Sequence, residues 1–418
     1  MKVAIFGVGY VGLTFAVHLA SKGINIIGVD ISNKTIDSLN SNVVTINEEG
    51  LSEKFLKYRK MMRFVKKLDE KVDVFVVTVG TPVLNGRIVL SKVIDVVNEV
   101  ANNLSGGELV ILRSTLKIGS TRNVVKKILD ESGKKYFLGF CPERTVEGKA
   151  LQELASLPQI VGGIDEESSK EAANFFKKLG NEVVSLKTIE AAELVKLINN
   201  NYRYLTFAFS NEMAVFAEEI GIDFIEVVKA ANYNYSRSSV PLPGLAAGPC
   251  LPKDAVIILE SAKEKNLSLN LVNDAFEVNA SLPEHVARKV SKLIKNKKEY
   301  IIVSGLAFKG RPKNTDMRGS QSVDVVNELK HFGFSNILVH DFEDVHNEPE
   351  MKNLVSATEN EFERATVIVI TNNNVNYESD EFVKKVKDKI VFDTNGVLKN
   401  KKIKHYHCFG VGDESNNC

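Results

Sequence analysis

At 418 residues, with 44% hydrophobic and 26% charged residues, the chain is too long for one ordinary domain and apolar enough to build about two or three cores. Lys+Arg 54 against Asp+Glu 53 leave a net charge of +1, which excludes a basic field for gathering nucleic acid or an anionic membrane, so an anionic ligand must be met by a local pocket. The four cysteines, Cys141, Cys250, Cys408 and Cys418, make no CxxC pair and no close-spaced disulfide framework, and this pattern predicts a reducing, cytoplasmic setting.

The first segment, MKVAIFGVGYVGLTFAVHLASKG, has a lysine before an apolar run and superficially resembles a secretory leader. Three glycines and several polar residues interrupt it, so it reads as a buried strand followed by a helix. No other uninterrupted apolar run reaches membrane-spanning length. With NIIGVD as the next strand, the start is a βαβ unit. Strands VDVFVVTVG, ELVILRST and KYFLGFC then alternate with helical segments such as SKVIDVVNEVANNL and TRNVVKKILDESG, which predicts a mainly parallel sheet covered on both faces.

From Ile189 to Ile220 there is no Gly or Pro and the apolar period is helical, with Thr188 as N-cap and Gly221 as stop. A helix of about 30 residues spans about 45 Å and is expected to be a spine between domains. A Pro/Gly-rich loop, two more helices to about Lys298 and a second α/β set follow. In that set YIIVSG, NILVHDF, TVIVIT and KIVFDT are strands, and SVDVVNELKHFG is a helix. The tail after Glu414 is expected to be disordered.

GVGYVG places Gly7, Gly9 and Gly12 between a strand and a helix that opens at Tyr10 and Val11, and Asp30 ends the next strand 18 residues after Gly12. The first glycine permits the tight turn, the second lets backbone approach a pyrophosphate, and the third packs helix on strand. Asp30 is expected to accept hydrogen bonds from a ribose 2′-hydroxyl and repel a 2′-phosphate, which selects NAD. Three strand ends carry further polar residues: Gly80 and Thr81 in TVGTP, Ser114 and Thr115 in RSTLKIG, and the run Cys141–Glu147 in CPERTVE. Each alone also reads as an ordinary loop or N-cap.

Lys196, Asn200 and Arg203 fall on one face of the long helix. Such a stripe is ordinarily solvated, but the apolar runs on either side predict a buried helix, in which a lysine needs a partner or a role. In LAAGPCLPKDA, Cys250 lies between two prolines just before a helical run, with Asp254 in the first turn. A helix N-terminus favours a thiolate, so Cys250 is a candidate nucleophile, although a buried cysteine can also be a small hydrophobe. HYHC, with His405, His407 and Cys408, lacks a second ligand pair and reads as a strand end rather than a metal site. GLAFKGRP has no GK[ST] and is not a P-loop.

Taken in order, GVGYVG, GTP, RSTLKIG, CPERTVEGKA, AAELVKLINNNYR, AAGPCLPKD and GLAFKGRPKNTDMRGS resemble the nucleotide-sugar 6-dehydrogenases, the UDP-glucose and UDP-N-acetylmannosamine dehydrogenase family. The resemblance implies two Rossmann-like parallel-sheet domains joined by a long central helix and a helical middle region. The divisions expected are 1–187 for NAD, 188–298 for dimerisation and catalysis, and 299–418 for the UDP-sugar. It also implies oxidation of a sugar C6 alcohol to a carboxylate by two NAD, in a homodimer or dimer-based oligomer. Lys196 and Asp254 would take the hydroxyl proton with a water, and Cys250 would carry a thiohemiacetal and then a thioester. Lys196 and Asn200 would stabilise the oxyanion. Glu147 would serve as acid/base for hydrolysis, supported by Glu143 and Thr115.

Arg144, Arg203, Arg237, Gly244, Lys309 and Arg318 match substrate-contact positions, with Asp316 in the same C-terminal stretch. CPER, NNNYR and AFSNE favour the N-acetylhexosamine branch and UDP-N-acetyl-D-mannosamine, ahead of UDP-N-acetylglucosamine and UDP-glucose. Two departures stand out: Glu147 replaces a proline frequent in bacterial N-acetylmannosamine enzymes, and PGLAAGPC is short. The competing readings are a two-electron β-hydroxyacid dehydrogenase, which has no use for Cys250, and a non-catalytic NAD-binding regulator.

Overall fold

Along strand β1 (Lys2–Phe6), Val3 and Ile5 pack into one hydrophobic cluster and Ala4 and Phe6 into another. Successive side chains of a strand point to opposite faces, so both faces of this sheet are covered. The structure, a computed structural model, describes residues 1–412 and divides into two units. The expected disordered tail and Cys418 lie outside the described residues.

Unit 1 comprises Met1–Asn199 with Val256–Ser268. After β1 come α1 (Tyr10–Ser21), β2 (Asn25–Val29), α2 (Asn33–Asn40), α3 (Leu51–Lys57), β3 (Met62–Val65) and β4 (Val74–Val77). A two-residue-strand hairpin, β5 (Val83–Leu84) and β6 (Arg87–Ile88), leads to α4 (Ser91–Asn103), β7 (Glu108–Leu112), a π-helical turn at Thr121–Val125, α5 (Lys126–Asp130) and β8 (Tyr136–Phe140). The unit continues with α6 (Ala150–Ser156), β9 (Gln159–Gly163), α7 (Glu166–Lys178) and β10 (Val183–Leu186). The sheet order is β10-β9-β8-β7-β4-β1-β2-β3, parallel except for the β8–β9 pair. Sequence order reverses between β1 and β4, and doubly wound sheets bind ligands at the carboxyl edge of such a point.

Helix α8 (Ile189–Glu219) runs 31 residues, and the Thr188 hydroxyl accepts the Ala191 N–H at 3.2 Å as the expected N-cap does. The division between units falls after Asn199 in α8 and after Ala255 in α10 (Leu251–Lys263), which follows α9 (Phe224–Asn232). The expectation of a buried long helix holds on one side only: Ala192, Leu197, Tyr204 and Ala214 are buried, whereas in the single chain Tyr202 is 68%, Phe209 53% and Phe216 58% exposed and Lys196 is only partly buried. The apolar period of α8 is therefore wider than the face that the described residues of this one chain cover.

Unit 2 comprises Asn200–Ala255 and Leu269–Cys418, described to residue 412. Beyond α11 (Asn270–Leu293), β11 (Tyr300–Ser304), α12 (Gln321–His331), β12 (Asn336–His340), α13 (Glu359–Arg364), β13 (Val367–Ile370), α14 (Asp380–Val386), β14 (Ile390–Asp393) and β15 (His405–Cys408) form a parallel sheet of order β12-β11-β13-β14-β15. Its reversal lies between β11 and β13. HYHC is β15, paired in register with β14.

Candidate active site

In unit 1 the turn after β1 puts Gly7 at φ +88°, a left-handed conformation that favours glycine. A Cβ on Gly12 would sit 1.9 Å from the Gly7 carbonyl oxygen, so only glycine lets α1 approach this turn. At Gly9 a Cβ would meet nothing within 4 Å, and no side chain caps the first turn of α1. The open N–H groups and clear approach fit a dinucleotide pyrophosphate. Tyr10 and Val11 open the helix beside it.

The Asp30 carboxylate accepts the N–H of Val8 at 3.0 Å and of Ser32 at 2.9 Å. Thus it braces the glycine turn as well as ending β2. Further acceptor positions stay available on the carboxylate for ribose hydroxyls. At the ends of β4 and β7, Thr81 donates to the Thr115 carbonyl at 2.7 Å and Ser114 to that of Val79 at 2.7 Å, tying these two loops together beside exposed Gly80.

The run after β8 is organised by buried charge. Glu143 is paired with Arg113 at 2.5 Å, and its other oxygen accepts the N–H groups of Arg144 and Thr145, each at 2.8 Å. Burial pushes the Glu143 carboxyl up, but the Arg113 guanidinium, these N–H groups and the charge of Lys196 hold it below the usual range. The Arg113 carbon is 4.5 Å from the Phe15 ring centre and 5.6 Å from that of Phe176. Arg144 donates to the Pro158 carbonyl, and Glu147 is partly buried. Glu193 of α8, buried, accepts from Gly119 N–H, Thr121 N–H and the Thr121 hydroxyl, fixing the turn that follows Thr115.

In unit 2, Cys250 immediately precedes α10 and is exposed, whereas Cys141 and Cys408 are buried. Burial pushes the Cys141 thiol up to about 12, and burial likewise raises Cys408 far above its ordinary value. Among the described cysteines only Cys250 is accessible. One turn on, Asp254 is fully buried: its Oδ2 accepts from Asn200 Nδ2 at 2.6 Å. Its Oδ1 accepts no hydrogen bond and lies 3.5 Å from Lys253 Nζ. The Asn201 amide holds the Asp254 carbonyl at 3.2 Å. The structure thus joins two of the expected catalytic residues and leaves one carboxylate oxygen free of hydrogen bonds among the described residues.

The loop after β11 returns to the cysteine loop, where Gly248 N–H donates to the Gly319 carbonyl at 2.9 Å. Arg318 grips Asp316 through Nε and Nη2 at 2.9 and 2.6 Å, and Lys309 Nζ lies 5.2 Å from the Phe308 ring centre. At the β11/β13 reversal, Asn373 accepts the Gly310 N–H at 3.0 Å, Asn372 donates to the Ala307 carbonyl at 3.0 Å, and Asp341 accepts the Ala307 N–H at 2.9 Å. Gly244 N–H donates to Asn211 at 2.9 Å. Arg203 and Arg237 are exposed. Among the described residues no three His, Cys, Asp or Glu side chains gather as a metal site, and no helix is long and apolar enough to cross a membrane.

Comparison with known proteins assigns these halves. Residues 1–180 match the NAD binding domain of the UDP-glucose/GDP-mannose dehydrogenase family, 190–281 its central domain and 302–400 its UDP binding domain. The chain belongs to this family. It is therefore an NAD-dependent UDP-sugar dehydrogenase, with the glycine turn of unit 1 in the NAD binding domain and the β11/β13 edge of unit 2 in the UDP binding domain.

Among its relatives, UDP-N-acetyl-D-mannosamine dehydrogenase of Methanococcus vannielii is 31% identical over 95% of this chain and 93% of its own length. NDP-N-acetyl-D-galactosaminuronic acid dehydrogenase of Ralstonia nicotianae is 27% identical over 96% and 97%. The solved UDP-D-ManNAc dehydrogenase of Pyrococcus horikoshii superposes with a TM-score of 0.88 at 26% identity, covering 98% of this chain and 99% of that one.

Several residues of this dehydrogenase escape sequence reasoning. Arg113 was visible as a lone charge ending an apolar strand, and Lys253 as the neighbour of Asp254. Glu48, Glu193 and the Asn372–Asn374 run carry no local motif; their roles come from partners remote in sequence.

Proposed function

We propose that the chain oxidises the C6 alcohol of a UDP-N-acetylhexosamine, UDP-N-acetyl-D-mannosamine first, to the uronic acid through covalent intermediates on Cys250. Per sugar, R–CH2OH, two NAD⁺ and one water give R–COO⁻, two NADH and three protons. The observation that carries this reading is an exposed thiol at the start of α10 with the Asp254–Asn200 bond one turn away. A two-electron alcohol dehydrogenase has no use for that sulfur. The names of the relatives support the choice of sugar.

NAD, when bound, accepts one hydride in each oxidation. Asp254, with Lys196 and a water, takes the proton of the C6 hydroxyl; Asp254 Oδ1, ion-paired to Lys253 but accepting no hydrogen bond among the described residues, suits that water. Cys250 sulfur then adds to the C6 aldehyde. Lys196 and Asn200 donate to the resulting oxyanion, a contribution of about 3 to 4 kcal/mol per donor. After the second oxidation a water attacks the thioester, Glu147 takes its proton, the C–S bond breaks and the Cys250 thiolate leaves. Thr115 supports Glu147, and Glu143 positions the loop. Arg144, Arg203, Arg237, Gly244, Lys309 and Arg318 contact the UDP-sugar, and Gly80 and Thr81 the cofactor.

The three-part division at 187/188 and 298/299 and a homodimer are part of the same reading. The exposed apolar stripe on α8 suits a second copy of the chain, since Tyr202, Phe209 and Phe216 recur at heptad spacing. A panel of UDP-sugars with NAD, read by NADH yield and by mass spectrometry of the uronic acid, tests the function. Two NADH per sugar are expected, with Cys250→Ala making no acid while binding NAD as the wild type does. One NADH per sugar, or acid from Cys250→Ala, overturns it.

A further inference from the structure

Four backbone N–H groups around Glu147 end on carboxylates. Arg144 and Thr145 donate to Glu143, Val146 to Glu153 at 2.6 Å, and Gly148 to Glu48 at 2.6 Å. Glu143 and Glu153 belong to this same stretch of chain and to α6, so they shape the loop internally. Glu48 comes from 100 residues earlier, in the segment between α2 and α3, and is 7% exposed. Glu143 also anchors the loop to Arg113 at the end of β7, but Glu48 is the one of the three that reaches a loop N–H from outside this stretch of chain, and the N–H it holds is that of the residue following Glu147. The same oxygen, Oε2, accepts the Tyr10 hydroxyl, and Gly148 N–H also reaches that hydroxyl at 3.0 Å.

Tyr10 is the first residue of α1, directly after Gly9 of the glycine turn. A closed three-point contact therefore joins the cofactor turn to the residue following Glu147. Burial first, then the Glu48 bond, holds the Tyr10 phenol far above its ordinary value, with the Glu147 charge pushing the same way, so Tyr10 remains a neutral donor with Glu147 nearby.

We infer that Glu48 is a positioning residue for Glu147, holding it through Gly148 and Tyr10 where it can activate the water that releases the product from Cys250. The inference rests on the hydrolytic role of Glu147 proposed above. Glu48 touches no reacting atom. Without it Glu147 keeps its chemistry but loses its placement, and errors of about 1 Å cost up to about 100-fold in rate.

The test compares Glu48→Ala, Glu48→Gln and Glu147→Gln with the wild type, using NAD and UDP-N-acetyl-D-mannosamine. In Glu48→Ala, kcat should fall about 10- to 100-fold with KM for NAD within about twofold, and intact-mass spectrometry after rapid quench should find a uronyl adduct on Cys250. Amide exchange of the peptide containing Gly148 should quicken, a readout independent of turnover. Glu48→Gln should recover most of the rate, because one amide oxygen can accept both donors.

An unchanged kcat in Glu48→Ala, a loss seen only as a raised KM for NAD, or a Glu48→Gln variant as slow as Glu48→Ala would each overturn the inference. An adduct in Glu147→Gln but not in Glu48→Ala overturns it alone. Absence of the adduct in both would remove the role of Glu147 and the inference with it.

Discussion

Unit 1 buries an ion pair between Arg113 and Glu143. Arg113 has 1% and Glu143 9% of its side chain exposed, and two aromatic rings flank the guanidinium. Removing one partner of such a pair leaves the other desolvated and costs about 3 to 5 kcal/mol. Glu143→Gln should therefore lower stability at neutral pH. Because the folded-state carboxyl is held below its unfolded value of about 4.3, its contribution is complete above that pH and is lost as pH falls through the lower folded value. Urea unfolding of both proteins from neutral to acid pH should show their difference shrinking on acidification; parallel curves would mean that Glu143 titrates alike folded and unfolded. The sequence announced half of this pair, since CPER drew attention to Glu143, but its partner is 30 residues away and no spacing rule joins them.

At the scale of elements, α8 was legible because the stretch from Ile189 to Ile220 lacks Gly and Pro and opens at Thr188. What the period could not tell is which neighbours cover each side. One face takes Glu193 inward to the Gly119–Thr121 turn, while Tyr202, Phe209 and Phe216 stay exposed seven residues apart. Binary pattern reports that a face is apolar, not whether the same chain or another copy buries it. If a second copy does, Phe209→Glu with Phe216→Glu should convert a dimer into a monomer by light scattering, with helix content by circular dichroism retained. A wild type that is already monomeric, or a double variant that stays dimeric, would rule out this stripe as the interface. Strands β3, β9 and β10 were harder to foresee, though they are no shorter than the others: MRFV carries an exposed arginine, QIVGG ends in two glycines that β propensity disfavours, and VVSL has no buried residue.

At the scale of the whole molecule, the chain builds the same device twice. Unit 1 reverses strand order between β1 and β4, unit 2 between β11 and β13, and each reversal leaves loops at the carboxyl edge of a parallel sheet. The first edge was legible because GVGYVG is a local motif. The second was legible only in part: GLAFKGRPKNTDMRGS marks one of its loops by resemblance, but Asp341 and Asn372–Asn374 follow β12 and β13 and mean little until the strand order is known. Two separate edges predict two separable responses to ligand. With NAD at about 100 times its dissociation constant, stabilisation of about 2.7 kcal/mol should slow exchange of amides that open only in the unliganded state by up to about 100-fold. Peptides spanning Gly7–Gly12 and Thr78–Thr81 should carry that protection, whereas UDP alone should protect those spanning Gly305–Gly310 and Asn372–Asn374. Protection of the glycine turn by UDP, with the β11/β13 loops unchanged, would show that a nucleoside diphosphate uses the first edge and that the second reversal is only a consequence of winding a parallel sheet.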